Sequence, residues 1–469
     1  MRSSSTGRGA LFPSRVLNLR AWREGALFMI AWVTSMALVF LSVYTALEAA
    51  PQLAGAERSY AWLKLLAAVT AFIFGSRWNI FLVFAFLADR VAKRPKALLR
   101  EQPLVSILVP CFNESSTIEP ALTSLLSLDY PALEIIVVDD GSTDDTFQKA
   151  SRFPVTLPGR SIRVLSKPNG GKWSALNVGF HQSKGELVLC VDADSRLASA
   201  SLTHAVAHLA DPEVGAVAGQ VRVRNRDNLV TRFQALEYLI GNGAVRLTQS
   251  LFGCVLVVPG PIGLFRRAVL EEVWLQHNHC FPLAPGAAPG PFAHDTFAED
   301  FDLSMSILCL GHQIVYEPRA VSLTKAPATA FTLMNQRYRW TRGSLQVLRK
   351  FFRRAREEPA PLPARLWLWI ITSYVFDLVL MPGLYLGSAV AFTLALQSAV
   401  QRPLWTILGW TAAFLLLQWI VGLFFASVHR DRPGTLKLLP LYGFYCTWFL
   451  NFAWIISALD EARNRRMNW

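Results

Sequence analysis

The chain has 469 residues, 46 Lys and Arg against 33 Asp and Glu, and 52% hydrophobic residues, more apolar than an ordinary soluble domain. The apolar excess lies before Asp89 and after Pro363, and the basic residues flank it, which excludes a wholly soluble enzyme and a nucleic-acid module. Six cysteines without a CxxC pair support neither a disulfide nor a zinc framework, and His277, His279 and Cys280 read as a solvated loop.

Residues 1–25 are polar and Arg-rich, a tail expected on the cytoplasmic side. Ala26 to Leu47 carries no charge and is long enough to span a hydrocarbon core of about 30 Å. It reads as a retained anchor in preference to a cleaved signal, whose apolar core would be shorter. Leu65 to Ala88 forms a second span, interrupted at Gly75-Ser-Arg77. Arg77 is read two ways, as a snorkelling side chain or as part of a polar conduit. Arg90, Lys93, Arg94 and Lys96 follow, so the central domain is expected to be cytoplasmic.

From Pro103 strands and helices alternate. Leu104 to Val109, Glu134 to Val138, Ser161 to Leu165 and Glu186 to Val191 read as strands, with a helix to about Leu128 and others opening after Asp145 and Lys172. That alternation predicts an α/β domain with a mostly parallel sheet. Val214 to Gly219 and Val255 to Val258 are further strand candidates. No Walker loop or GxGxxG fingerprint is present: Trp173 stands where a P-loop needs Ser or Thr. Asp302 to Leu310 reads as a helix. Phe331 to Arg356 reads as a long amphipathic one whose Arg337, Arg339, Arg342, Arg349, Lys350, Arg353, Arg354 and Arg356 suit an anionic bilayer surface. Arg365 to Val400 is too long for one span, and Trp405 to Ser427 and Leu438 to Leu459 complete three or four C-terminal crossings. The expected organisation is a tail (1–25), two transmembrane helices (26–88), a catalytic domain (103–330), an interface helix (331–363), a membrane region (364–460) and a tail (461–469).

Three clusters carry chemistry. Asp192-Ala-Asp194 follows a strand, where two carboxylates can reach one hard cation. Glu299-Asp300 offers a candidate general base. Gln336 to Trp340 offers arginines for phosphates and an indole on which a sugar can stack. Together they point to a diphosphate-sugar donor, a metal and an acceptor hydroxyl.

With Pro110-x-x-Asn113-Glu114, Val138-Asp-Asp-Gly-Ser142, Asn169-Gly-Gly-Lys172 and Gly260-Pro261, these clusters make seven motifs in order between apolar segments. The chain resembles the processive, membrane-embedded family 2 glycosyltransferases, the group of cellulose, hyaluronan and chitin synthases. Its span pattern is most similar to the poly-β-1,6-N-acetylglucosamine synthases. The resemblance implies a GT-A type domain and an inverting hexosyl transfer from a UDP-sugar, N-acetylglucosamine by the closest pattern, onto a growing β-linked polysaccharide that is also exported. It implies that Asp140 holds the uracil or ribose, with Asn113 and Glu114 lining that pocket. Lys172 neighbours the diphosphate, Asp192 contacts the nucleotide-sugar and Asp194 binds Mg2+ or Mn2+. Asp300 becomes the base, while Glu299, Gln336, Arg339 and Trp340 serve the diphosphate and acceptor. It further implies a multi-pass protein of the inner (plasma) membrane, with a lipid bilayer and small membrane or export subunits as partners and no nucleic acid.

Two departures stand out: Ala298 replaces a frequent Thr beside the acidic pair, and the loop Trp274 to Phe297 is longer than in relatives, read first as a tolerated insertion. Two rivals remain at this stage, transfer of one sugar to a polyprenyl phosphate and a transporter with a degenerate domain.

Overall fold

The computed structural model describes residues 14–49, 58–92, 102–153, 156–280, 289–357, 362–380, 383, 387, 402–429, 434–463 and 465. The expectations for the first thirteen residues, for Lys93, Arg94 and Lys96, for 281–288, for most of 381–400 and for 466–469 lie outside the described residues. The chain divides into two compact units, one from 1–86 and 388–440, the other from 87–387 and 441–469.

In the first unit, helices Ser14–Ala49 and Arg58–Ala92 contain stretches, Gly25–Ala49 and Lys64–Arg90, long and apolar enough to cross a membrane. The expected break at Gly75-Ser-Arg77 does not occur, because the helix runs through it. Gly75 is there for packing: a Cβ on it would stand 2.9 Å from Val39 Cγ2, and Ser35 Oγ donates to Gly75 O at 2.9 Å. A small residue lets two apolar helices approach closely and adds a hydrogen bond between them. The Arg77 guanidinium lies 4.9 Å from the Phe81 ring centroid, one turn further along. Helix Arg402–Val428 belongs to the same unit, with Phe424 6.1 Å from Phe28.

The second unit holds a nine-stranded sheet. Its strands are β1 (Val105–Cys111), β2 (Leu133–Asp139), β3 (Thr156–Leu157), β4 (Arg160–Ser166), β5 (Leu187–Cys190), β6 (Arg196–Leu197), β7 (Val214–Val223), β8 (Gly263–Arg266) and β9 (Gln313–Thr324). They stand in the order β3-β4-β2-β1-β5-β8-β7-β9-β6. β4, β2, β1 and β5 are parallel, as the strand–helix alternation requires. Beyond β5 the sheet changes character: β8 pairs antiparallel with both β5 and β7, while β7 and β9 run parallel. The sheet is therefore mixed: β3, β6 and β8 run against the direction shared by the other strands. A crossover helix forces parallel pairing only where it joins neighbouring strands, and β7 and β8 are joined by two helices, a π-helical turn and a loop.

Val255 to Val258 is not a strand either. Leu256 N donates to Gln249 Oε1 at 3.2 Å and Val258 N to Ser304 Oγ at 2.9 Å, so side chains satisfy the amides a ladder would have used. A buried apolar run looks like a strand whichever partner it finds. β1 and β2 are buried almost throughout, with Ile107, Val109, Ile135 and Val137 meeting Leu122 and Leu125 of helix Ile118–Leu126 in one core.

Candidate active site

Four parallel strands end at one edge. Cys111 stands opposite Asp139, Asp139 opposite Ser166 and Leu108 opposite Cys190. The loops leaving those ends carry Asn113 and Glu114, Asp140, Lys167 to Lys172, and Asp192 to Asp194, so four motifs distant in sequence meet without any special contact being needed. Asn113 sits at φ 54°, a left-handed conformation that costs a side-chain-bearing residue about 1–3 kcal/mol and recurs at functional sites. Its Oδ1 accepts from Thr143 N at 2.9 Å, which holds it there. Glu114 N donates to Thr146 Oγ1 at 2.8 Å. The following helix is held by Asp144, whose Oδ1 accepts from Thr146 N at 3.0 Å, and not by Asp145, which makes no side-chain cap.

Asp140 clamps the next loop. Its carboxylate accepts from Gly170 N at 3.0 Å, Gly171 N at 2.8 Å and Lys167 Nζ at 2.5 Å. Gly141, at φ 77°, is required beside it, since a Cβ there would meet Asn169 N at 2.9 Å. The loop so fixed delivers Lys172 to the start of helix Lys172–Gln182.

Lys172 is the hub. Its Nζ lies 2.7 Å from Asp192 Oδ1 and 3.3 Å from Glu299 Oε1. Burial opposes its charge, but the carboxylates of Asp192, Glu299 and Asp300 hold it well above the ordinary lysine range. These four residues line one cavity of ≈ 20 Å³ with Pro110, Gly260 and Leu303, room for about one water. A Cβ on Gly260 would fall 2.7 Å from Lys172 Nζ, so a side chain there would push the ammonium out of its present position in the cluster.

Glu299 and Asp300 open helix Glu299–Cys309, which starts three residues before the expected Asp302. Burial, then the Glu299 charge, push the Asp300 carboxyl from 3.8 to about 6, against Lys172 and the Phe301 N–H. Burial, then the Asp192 charge, do the same to Asp194. Its Oδ1 accepts from Ser195 Oγ at 2.9 Å and Thr324 Oγ1 at 3.1 Å. Among the described residues no group of three His, Cys, Asp or Glu could hold a metal alone. Asp194 and Asp192 suit a hard cation that completes its coordination with water and a substrate diphosphate, as Mg2+ does.

Gln336, Arg339 and Trp340 do not line that cavity; they lie on the long helix Ala330–Glu357. The expected bilayer-facing basic row is corrected in part. Arg337 is buried against Glu237 at 2.7 Å and Arg342 against Glu461 at 2.8 Å, while Lys350 bridges Asp295 and Asp302, each at 2.9 Å. Arginines at helical spacing look alike in sequence whether they meet solvent or a distant carboxylate.

Sequence reading also passed over Gly343, whose only signal is glycine inside a helical pattern. A Cβ there would lie 2.7 Å from Ala298 Cβ and 2.9 Å from Ala298 N, immediately before the acidic pair. Gly343→Ala is expected to lower turnover about tenfold or more while leaving donor binding unchanged, because overpacking shifts Ala298 and with it Asp300. Steady-state rates beside donor titrations check this; an unchanged rate would mean the long helix yields freely.

Comparison with known proteins gives the family and the fold. Residues 102–343 match the family described as Glycosyltransferase like family 2. The chain is similar to the poly-beta-1,6-N-acetyl-D-glucosamine synthase of Staphylococcus epidermidis, 29% identical over 377 residues, covering 77% of this chain and 84% of that one. It is 28% identical over 382 residues to the enzyme of the same description from Staphylococcus aureus strain COL, covering 80% and 87%. Among solved structures, the mannosyltransferase PcManGT from Pyrobaculum calidifontis, in complex with GDP-Man and Mn2+, shares the fold, with a TM-score of 0.59, 24% identity, and coverage of 86% and 100%.

Proposed function

The chain belongs to glycosyltransferase-like family 2 and is a glycosyltransferase, and from that premise we propose that it is a membrane-embedded polymerase transferring N-acetylglucosamine from a UDP-sugar onto a growing β-linked polysaccharide. The observation that carries this reading is the cluster in which Lys172 separates Asp192 from Glu299 beside the buried Asp300. The sugar and the polymeric product rest on the poly-N-acetylglucosamine synthases that resemble most of the chain. The two long apolar helices support insertion in a membrane; in this reading that is the inner membrane, the catalytic unit is cytoplasmic and the polymer is exported.

In this reading Asn113, Glu114 and Asp140 form the nucleotide end of the donor site. Lys172 and Asp192 meet the diphosphate and sugar. Asp194 holds Mg2+ or Mn2+, which when bound offsets charge on the leaving diphosphate. Asp300 takes the proton from the acceptor hydroxyl as that oxygen attacks the anomeric carbon. One in-line displacement inverts configuration, so an α-linked donor yields a β-linkage. Arg339 faces the diphosphate, and Trp340, 41% exposed, offers its indole to the acceptor.

Product size tests the proposal. Purified protein in lipid vesicles, given one labelled UDP-N-acetylglucosamine, is expected to make a ladder or high-molecular-weight smear that a glycosidase removes. A single labelled species extracted into organic solvent would overturn it in favour of a polyprenyl-phosphate acceptor.

A further inference from the structure

Glu237 belongs to none of the seven motifs and lies 100 residues from the Gln336 to Trp340 cluster in sequence, yet it supports that cluster directly. It opens a π-helical turn, Glu237–Asn242, a distortion that recurs at functional sites. Its Oε2 accepts from Arg337 Nη2 at 2.7 Å and from Tyr445 Oη at 2.8 Å. Tyr445 is itself fixed by stacking on Phe233, ring centroids 5.2 Å apart and 5° from parallel. Arg337 Nη1 donates to Gln336 Oε1 at 2.7 Å, and its guanidinium carbon lies 4.3 Å from the centroid of Trp340. The buried guanidinium thus covers one face of the indole, and the carboxylate holds the guanidinium in place.

We infer that Glu237 is a positioning residue for the acceptor: through Arg337 it fixes the plane of Trp340 and so sets acceptor affinity and product length without touching the donor. The inference rests on Trp340 being the acceptor platform. An Arg plane over an indole orients it because cation–π attraction favours one stacking geometry, and a lysine cannot reproduce that flat cover. Glu237→Gln keeps the shape and an acceptor oxygen while removing the charge that anchors Arg337. Lysine at position 337 keeps a cation opposite Glu237 and gives up the cover.

The test uses the full-length protein in lipid vesicles, with a short β-1,6-linked N-acetylglucosamine oligomer as acceptor and UDP release without oligomer as the donor readout. For E237Q the acceptor KM is expected to rise about tenfold, the size of one lost cation–π contact. Donor KM and donor hydrolysis should stay within about twofold. In a W340A background E237Q should add nothing further, because its effect passes through the indole. An equal E237Q effect with and without Trp340, or a donor KM shifted as much as the acceptor KM, overturns the inference alone. A W340A protein with an unchanged acceptor KM overturns the platform reading and the inference together. Should E237Q not fold, R337K carries the same test: an acceptor-only shift that vanishes in W340A supports the inference, and any other pattern sinks it.

Discussion

Asp300→Asn is expected to abolish sugar transfer while UDP-sugar binding persists. Asn keeps the size and can still accept from Phe301 N, which donates to Asp300 Oδ1 at 2.8 Å. Only the capacity to take a proton goes. A positioned base contributes about 10²–10⁴-fold, so turnover should fall by at least about a hundredfold, with calorimetric donor affinity within about twofold. Loss of donor binding as well would remove the base assignment.

The wild-type pH profile gives the same residue a second readout. With its carboxyl raised to about 6 by burial and the Glu299 charge, Asp300 is ionised and competent above that pH. The rate should fall about tenfold per unit below it. Stability runs the other way. A carboxyl raised above its ordinary 3.8 makes the ionised native state less stable, fully so above pH 6, and the penalty fades as pH falls through about 6. Asp300→Asn should therefore raise the thermal midpoint at pH 7.5, by about 2 °C, and not at pH 4. A lower midpoint at pH 7.5 would mean that the Asp300 charge is favourably paired.

What the sequence could disclose follows from the range of the interactions involved. β1, β2, β4 and β5 were legible because each is a compact apolar run joined by a crossover, and parallel pairing puts Asn113, Asp140 and Asp192 at one edge as a matter of topology. Beyond β5 that constraint lapses, so the antiparallel entry of β8 was not legible, and the buried run Val255 to Val258 passed for a strand. The acidic pair and the DxD motif announce their chemistry by residue type. Their supports do not: Thr324 on Asp194, Gly343 against Ala298 and Lys350 across Asp295 and Asp302 are all partners distant in sequence. Arg337 and Arg342 show the same limit, since periodicity placed them on a basic face while distant carboxylates bury them.

Asp194→Ala is expected to leave activity at least about a hundredfold down at every Mg2+ or Mn2+ concentration, because a hard cation loses an anionic oxygen ligand. The geometry argues for this residue more than for Asp192. Asp192 is already 2.7 Å from the Lys172 ammonium, which competes for its charge. Among the described residues Asp194 has no such cation paired with it; burial and the Asp192 charge raise its carboxyl to about 6, so a divalent ion there would relieve an unfavourable charge. Hydrogen bonds from Ser195 and Thr324 occupy Oδ1 and, among the described residues, leave Oδ2 available. Thr324→Val should consequently weaken Mn2+ affinity about tenfold, read by direct titration of the metal, while Asp194→Ala removes the site. Wild type should lose activity in excess chelator and regain it with either ion. Activity that survives chelation, or an Asp194→Ala protein rescued by more metal, would exclude Asp194 as the ligand.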